Sequence, residues 1–318
     1  MFGSPFIFNS RFAAVAQVPK RITTPLRSGF DGLRGSLKSR LGAMIFVGCV
    51  GVALGDGLPG KMKVITEREG SNTRFLVRNF ETTDMTATLE VAAVNMKSSV
   101  PLPCTVTVPA GKTVEALTLT PATVRDTDWS FNYTNHYTVG RRDAVHDDSY
   151  LYSLPYAAGT TFKVTQGYHG TFSHTGPDEF ATDWKMPEGT PVLAAREGVV
   201  VSVKDEFEKG GPHRKFEDCA NMVTIQHADG TMAHYCHLSP HSAKVRVGQK
   251  IRTGDLIAAS GNTGFTSGPH LHFAVFKAHD GFGRETIPVK FRTANGSGLT
   301  LVSGESYRAV DPAVMARK

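Results

Sequence analysis

Residues 268–273 read Gly-Pro-His-Leu-His-Phe, and this stretch carries the most informative pattern in the 318-residue chain. On a β-strand, successive side chains point to opposite faces, so His270 and His272 face one side while Leu271 and Phe273 face the other. Two imidazoles directed at one space are typical of a metal site. An isolated pair of this kind is more often solvent-facing on an edge strand, so the surrounding sequence has to decide.

A second histidine pair, His234 and His237, follows the two-residue hairpin signal Asp229-Gly230. A strand over these residues puts His237 and Tyr235 on one face and His234 on the other. We therefore expect only His237 to reach the same site as the first pair, and His234 to be a packing residue or to lie in a second layer behind the site.

Asp183 lies in a third predicted strand, nine residues after His174. It stands between aromatic residues whose side chains point away from it. A carboxylate in such a place is either solvated or a ligand whose burial cost a cation offsets. Taken alone, the pattern favours a solvated residue.

The remainder of the chain predicts an all-β protein. From about residue 63 to residue 139, short segments such as RFLVRNF and TATLEV alternate with period two and are separated by turns. This pattern predicts an antiparallel β-sandwich without catalytic residue types, which we interpret as an immunoglobulin-like accessory domain. A linker is expected near residues 140–158, and strands with glycine at nearly every corner resume beyond it.

The composition excludes several classes of protein. With 40% hydrophobic and 20% charged residues, the chain is neither disordered nor a polytopic membrane protein. Residues 1–40 hold seven of the 35 basic residues and one of the 29 acidic ones, which leaves 28 of each sign beyond Arg40. The positive charge therefore belongs to a tail, and we expect no nucleic-acid partner.

An apolar run at residues 41–54 follows the basic tail and ends in small residues. At fourteen residues it is short for a membrane span, and its order is typical of a secretory signal, which predicts an exported protein, periplasmic or secreted. Two alternatives stay open: lipidation at Cys49, and an uncleaved membrane anchor through residues 41–55.

The histidines and Asp183, together with residues 186–192 and the glycine-rich segment 261–264, stand in an order that resembles the lysostaphin-like (LytM-type) zinc endopeptidases of the cell wall. The resemblance covers roughly residues 160–276. It implies an antiparallel β catalytic domain with a groove. The expected organisation is a tail with a signal or anchor at 1–55, the accessory domain at 56–155 and the zinc endopeptidase domain at 156–318.

Carried over by position, the resemblance makes His174, Asp183 and His272 ligands of Zn²⁺, with His237 and His270 as the catalytic pair. Such a site leaves one coordination position of a tetrahedral zinc ion open for water.

The spacing of the first two ligands departs from the family pattern. Three residues more often separate the first histidine from the aspartate, whereas eight lie between His174 and Asp183. His169 is therefore the alternative first ligand. Polar residues 205–221 predict an insertion at the rim of the groove, and His227, His241 and His279 stand beside turns and are expected at the surface.

The resemblance implies hydrolysis of peptide cross-links in bacterial peptidoglycan, between D-Ala and a diamino acid or within glycine-rich bridges. Two other functions stay open: a non-catalytic amidase activator or wall-binding regulator of the same fold, and a zinc peptidase acting on glycine-rich protein. A structural zinc site using Cys219 and Cys236, or a disulfide between them, is a further alternative. A regulatory partner is compatible with the sequence, which does not identify it.

Overall fold

The computed structural model describes residues 16–17, 62–123 and 128–311, and these segments are almost entirely β. The predicted signal or anchor at 41–55, with Cys49, lies outside the described residues. Within the described ranges, no helix has the length and apolar character needed to cross a membrane.

The described part of the chain contains 24 strands and two short 3₁₀ helices. The N-terminal strands are β1 Ala16–Gln17, β2 Met62–Glu69, β3 Asn72–Asn79, β4 Met85–Val94, β5 Met96–Ser98, β6 Cys104–Val108, β7 Thr113–Pro121 and β8 Ser130–Val139. The C-terminal strands are β9 Leu151–Ser153, β10 Thr161–Gln166, β11 Thr182–Lys185, β12 Pro191–Leu193, β13 Gly198–Lys204, β14 Gly210–Gly211, β15 Met222–Gln226, β16 Met232–Cys236, β17 Lys250–Ile251, β18 Leu256–Ala259, β19 Gly264–Phe265, β20 His270–Ala278, β21 Arg284–Ile287, β22 Lys290–Thr293, β23 Gly296–Leu299 and β24 Ser306–Arg308. The 3₁₀ helices are Gly176–Asp178 and Arg214–Phe216.

Two four-stranded sheets form the N-terminal part, in the orders β1-β8-β4-β6 and β2-β3-β7-β5. Their inner faces share one hydrophobic cluster. Phe75 from one sheet packs edge to face on Phe131 and Tyr133 of the other, with ring centroids 5.3 and 5.4 Å apart. Period-two alternation along β3 buries every second residue, which is how a two-layer antiparallel sandwich makes its core. Whether the sandwich is immunoglobulin-like stays a prediction.

The C-terminal part is organised around a nine-stranded sheet, whose main path is β17-β13-β15-β16-β20-β11-β10-β24, with β21 beside β20. One face carries the core, in which Trp184 and Phe273 are almost fully buried. Tyr152 belongs to the same core, because β9 pairs in parallel with β22. Packing of the C-terminal part therefore begins before residue 155, where the sequence suggested a boundary.

The two parts touch at the turn between β20 and β21. The backbone N–H of Gly281 donates to Thr88 Oγ1 at 2.8 Å, and the ring of Phe282 stacks on His136 with centroids 4.1 Å apart. A further hydrogen bond joins Thr83 and Gln226 at 3.1 Å. The strand that carries His270 and His272 thus continues into a turn that the N-terminal sheet supports.

Candidate metal centre and catalytic histidines

Strands β11 and β20 lie side by side in antiparallel register, with Asp183 directly opposite His272. Trp184 and Leu271, the alternate residues, point into the hydrophobic core. Packing of one sheet face thus fixes which residues occupy the other. Asp183 Oδ1 lies 2.9 Å from Nδ1 of His272.

His174 reaches the same carboxylate from a loop. Its side chain is completely buried, and Nδ1 lies 2.9 Å from the carbonyl oxygen of Gly167. A carbonyl only accepts hydrogen bonds, so Nδ1 carries the proton in the neutral ring and Nε2 is a bare lone pair. Nε2 lies 3.1 Å from Asp183 Oδ2 without hydrogen-bond geometry, and it has no other hydrogen-bond partner among the described residues.

The electrostatics of these three residues favour a cation. Burial alone would raise the pKa of the Asp183 carboxyl, but the imidazoles of His270, His174 and His272 hold that pKa well below its usual range. Burial lowers the pKa of His174, yet the Asp183 carboxylate outweighs it and the net shift is upward. The Asp183 carboxylate is therefore ionised, and it draws positive charge onto the imidazole beside it.

A divalent metal fits this arrangement. His174, Asp183 and His272 each offer one ligand atom, and the three atoms lie within 4.8 Å of one another. The unpartnered Nε2 of His174 has the orientation of a ligand, because its other ring nitrogen is already held by a backbone carbonyl. We call these three residues the His-Asp cluster.

His237 and His270 stand beside the cluster, with ring centroids 4.5 Å apart; we call them the imidazole pair. Each points Nδ1 at a backbone carbonyl oxygen, that of Thr263 at 2.7 Å and that of Gly268 at 2.8 Å. These acceptors fix the neutral tautomer, so that Nε2 of each ring is the free atom. For His270, Nε2 lies 4.0 Å from Asp183 Oδ2.

His237 remains neutral over the physiological range. Its removal from water, followed by the neighbouring imidazoles of His270 and His272, lowers its pKa to about 3. A neutral ring whose Nδ1–H is already donated can accept a proton or a hydrogen bond at Nε2.

The backbone conformation of His237, and not strand alternation, directs its side chain into the site. Strand β16 ends at Cys236, and His237 takes a left-handed conformation with φ of 62°. That conformation is unfavourable for a residue other than glycine, by about 1–2 kcal/mol. It is held in place because the next residue, Leu238, hydrogen-bonds through both N–H and C=O to the segments at Asn221 and Thr263.

The sequence prediction for His234 was therefore incomplete. His234 and Cys236 line the same cavity as His237, while Tyr235 points into the core, where its hydroxyl accepts from the backbone N–H of Ala195. His234 is 1% exposed, packs on His272 with centroids 5.2 Å apart, and leaves Nε2 without a hydrogen-bond partner among described residues. Strand alternation applied to residues 234–237 placed His234 on the face away from the site. This was wrong because the strand ends at Cys236, before His237.

His234 also belongs to a second group of potential ligands. Its ligand atom lies within 4.8 Å of those of Asp178 and His272. Asp178 is already paired with Arg284 at 2.6 Å, and burial, together with the charge of Arg284, lowers the pKa of His234 well below its usual range. A resident cation beside that guanidinium is disfavoured, so this group is the poorer metal site.

Other predicted candidates lie elsewhere. His169, the alternative first ligand, has a side chain 63% exposed that pairs with Glu179 at 3.0 Å. Cys219 and Cys236 are both free thiols, so no disulfide joins them, and the described residues hold no cysteine-based metal group. The expectation that His227 lies at the surface was wrong: it is 3% exposed and hydrogen-bonds the carbonyl of Glu197.

A cavity of about 440 Å³ is lined by Asp183 and His272 of the His-Asp cluster and by both members of the imidazole pair. Its outer walls include two aromatic rings, Phe172 and Phe265, which stack in parallel with centroids 6.3 Å apart. The insertion at 205–221 joins the paired strands β13 and β15 and contributes Glu217 to the wall. The site is therefore a cleft whose wall combines catalytic residue types with aromatic and charged side chains.

The region that holds most of this site is similar to known proteins. Residues 178–283 match the profile described as Peptidase family M23. The chain is 42% identical over 92 residues to the peptidoglycan DD-endopeptidase ShyA of Vibrio cholerae, which is 29% of this chain and 19% of that protein. It is 37% identical over 100 residues to the DD-carboxypeptidase/endopeptidase Mpg of Neisseria meningitidis, which is 31% of this chain and 19% of that protein.

Among solved structures, the catalytic domain of a mutant of the prophage-encoded M23 protein EnpA from Enterococcus faecalis is 24% identical, with a TM-score of 0.32 over 42% of this chain and 93% of that one. The matched region is about a fifth of the length of the curated relatives. The profile match begins four residues after His174 and contains every other residue of the cluster and the pair. Residues 178–283 are a peptidase family M23 domain.

Proposed function

We propose that this protein is an exported zinc endopeptidase that hydrolyses peptide cross-links of bacterial peptidoglycan. The observation that carries the proposal is the His-Asp cluster, in which a buried, unpartnered imidazole nitrogen faces an ionised carboxylate. Burial of an ionised carboxylate costs free energy, which a cation bound beside it offsets.

Zinc is the metal that this donor set favours. Two imidazoles and one carboxylate leave a fourth position free, the pattern of catalytic rather than structural zinc sites. When bound, such an ion supplies a Lewis acid that activates water and polarises a carbonyl group.

The protein's own side chains would then position the attacking water and transfer its proton to the departing amine. The imidazole pair presents two Nε2 atoms towards the cleft, and the carbonyls of Thr263 and Gly268 hold the rings in that orientation. In our proposal, His237 or His270 accepts the proton of the attacking water and then returns it to the departing amine, while the protonated ring stabilises the developing oxyanion. The required protonation state is already present at neutral pH for His237, whose pKa is about 3.

The proposed substrate draws support from the relatives. Two of them are named as endopeptidases of the DD type, one of them explicitly for peptidoglycan. A third, ALE-1 of Staphylococcus capitis, is named as a glycyl-glycine endopeptidase and is 30% identical over 134 residues. Cross-links of both kinds therefore belong in the test.

Export is supported by the basic tail and the apolar run ending near residue 55. Expression of the full chain in a Gram-negative host, followed by fractionation and N-terminal mass analysis, tests it. A mature chain that begins near residue 56 and lies outside the cytoplasm is the expected result. A lipidated Cys49, or a membrane-bound chain with an intact N-terminus, would establish one of the two anchored alternatives instead.

The hydrolase proposal is tested on isolated peptidoglycan. The wild-type protein, His272→Ala and His169→Ala are incubated with purified sacculi, and the released muropeptides are identified by mass spectrometry. We expect loss of cross-linked dimers with the wild type and with His169→Ala, whose side chain lies outside the site, and no loss with His272→Ala. Intact cross-links with zinc-loaded wild-type protein would favour the amidase activator or regulator, and cleavage only of glycine-rich protein would favour the third function.

A further inference from the structure

Lys185 is a cation on the wall of the catalytic cleft. It follows Asp183 by two positions on β11, so both side chains leave the same face of the sheet. Its side chain is exposed and lines the cavity. Over residues 62–123 and 128–311 its ammonium group has neither an ion-pair nor a hydrogen-bond partner.

The other charged groups on this wall are engaged. Arg284 donates to Asp178 at 2.6 Å, in a pair that is almost fully buried. Glu217 lies 3.6 Å from Arg214. Lys185 is therefore the cation of the cleft that can meet a charge on a ligand without breaking an existing ion pair.

The register of the sheet places this cation next to the reacting groups. Lys185 is directly opposite His270, a member of the imidazole pair. Two residues along a strand span about 6.8 Å, and a lysine side chain extends about 6 Å from its Cα. The ammonium group can thus reach an anion held a few bonds away from a peptide carbonyl at the His-Asp cluster.

We propose that Lys185 is a specificity-determining residue that binds a substrate carboxylate on the amine side of the scissile bond. This inference rests on the proposed function. In a cross-link from D-Ala to a diamino dicarboxylic acid, the carbon that bears the scissile nitrogen also bears a carboxylate, three bonds from the scissile carbonyl carbon. A glycine bridge has no charge at that place. Lys185 therefore fits the first kind of cross-link and gains nothing from the second.

The contact would act on binding more than on the chemical step. A charge on the rim of a cleft contributes equally to the bound substrate and to the transition state, so its loss raises KM and leaves kcat nearly unchanged. For a partly solvated pair of ions we expect a change of about 10-fold.

The test uses soluble cross-linked peptide dimers in two forms, with that carboxylate free or converted to its amide. The full-length wild type is compared with Lys185→Met, which keeps the length of the side chain, and with Lys185→Arg, which keeps the charge. Lys290→Met is the matched control, because Lys290 is an exposed lysine on β22 away from the cavity.

For the wild type we expect kcat/KM to be about 10-fold higher on the dimer with the free carboxylate than on the amidated dimer. The difference should lie in a lower KM for the free carboxylate. Lys185→Met should lose this preference, Lys185→Arg should restore most of it, and Lys290→Met should match the wild type. Equal cleavage of both dimers by the wild type, or an unchanged preference in Lys185→Met, overturns the inference while the proposed function stands. Cleavage of neither dimer by a protein that still opens cross-links in sacculi also overturns the inference, whereas intact cross-links in the sacculi as well would refute the proposed function.

Discussion

Asp183 and His272 face each other across β11 and β20, and Oδ1 of the carboxylate lies 2.9 Å from Nδ1 of the imidazole. Directly opposed residues of an antiparallel pair have Cβ atoms about 4.5–5.5 Å apart, so the ladder itself sets the spacing of these two side chains. Two rigid strands thus hold two members of the His-Asp cluster before any ion binds. Only His174 comes from a loop, and its ring is fixed by Gly167 and by complete burial.

Replacement of Asp183 by Asn should remove the metal. The amide keeps the shape of the side chain but takes away the negative charge on which the two imidazoles depend. We expect the affinity for Zn²⁺, measured by competition with a chromogenic chelator, to fall by at least about 100-fold. His169→Asn is the control, since that ring is paired with Glu179 outside the site. Loss of metal in the control, with retention in Asp183→Asn, would make His169 the ligand instead.

The His237→Asn variant should separate metal binding from catalysis. Asparagine tolerates the left-handed backbone at this position, and its amide can still donate to the carbonyl of Thr263. It lacks Nε2, so we expect activity on cross-linked dimers to fall by about 10²–10⁴-fold while Zn²⁺ affinity changes little. Steady-state kinetics and the chelator assay on the same preparation make the comparison. A variant that had lost its zinc would show that His237 is a ligand and not a member of a catalytic pair.

Some features of the site follow from local rules and others do not. Period-two alternation is enough to place His270 and His272 on one face, because β20 continues well beyond both. The same rule failed for His234, because β16 ends at Cys236 and a left-handed residue then reverses the face of His237. The end of this strand depends on hydrogen bonds from distant segments, so no local sequence pattern predicts it.

Local sequence also does not predict whether a single histidine is buried. His227 stands next to a hairpin turn, which favours a surface position, yet β9 and the core residue Tyr152 cover it. That strand joins the C-terminal sheets through its parallel pairing with β22, about 140 residues away. Such long-range pairing is set by the assembled core, and therefore the expected boundary near residue 155 could not anticipate it.

His227 should make the protein sensitive to mild acid. Burial, the larger effect, lowers its pKa to about 4, with the carbonyl of Glu197 opposing the shift. Between about pH 6.5 and pH 4 the unfolded chain binds a proton here and the folded protein does not, so the free energy of unfolding falls as the pH falls. The full shift corresponds to about 3 kcal/mol.

Urea unfolding at pH 7 and pH 4.5 tests this contribution. His227→Asn keeps a donor for the Glu197 carbonyl but cannot titrate, so its loss of stability between the two pH values should be smaller than that of the wild type. His237 and His234 are present in both proteins and cancel from the comparison. His279→Asn, at a side chain 66% exposed, should behave like the wild type. Identical pH dependence of His227→Asn and the wild type would mean that His227 is solvated in solution.

Gly281 should be intolerant of any side chain, because the N-terminal sheet approaches it closely. A Cβ at this position would clash with the backbone carbonyl oxygen of His136 and the backbone N of Thr88, neither of which can move freely within its strand. We expect Gly281→Ala to lower the free energy of unfolding by about 1–3 kcal/mol and to speed proteolysis near residues 140–150.

Gly283→Ala is the matched control, since a Cβ there meets nothing within 4 Å and the change should be within about 0.5 kcal/mol. Both glycines lie in the same turn between β20 and β21, so a difference between the variants reports on contact with the N-terminal sheet and not on the turn. If the two variants unfold alike and resist protease alike, the sandwich does not rest on this turn in solution. The strand carrying His270 and His272 would then be supported by the C-terminal sheet alone.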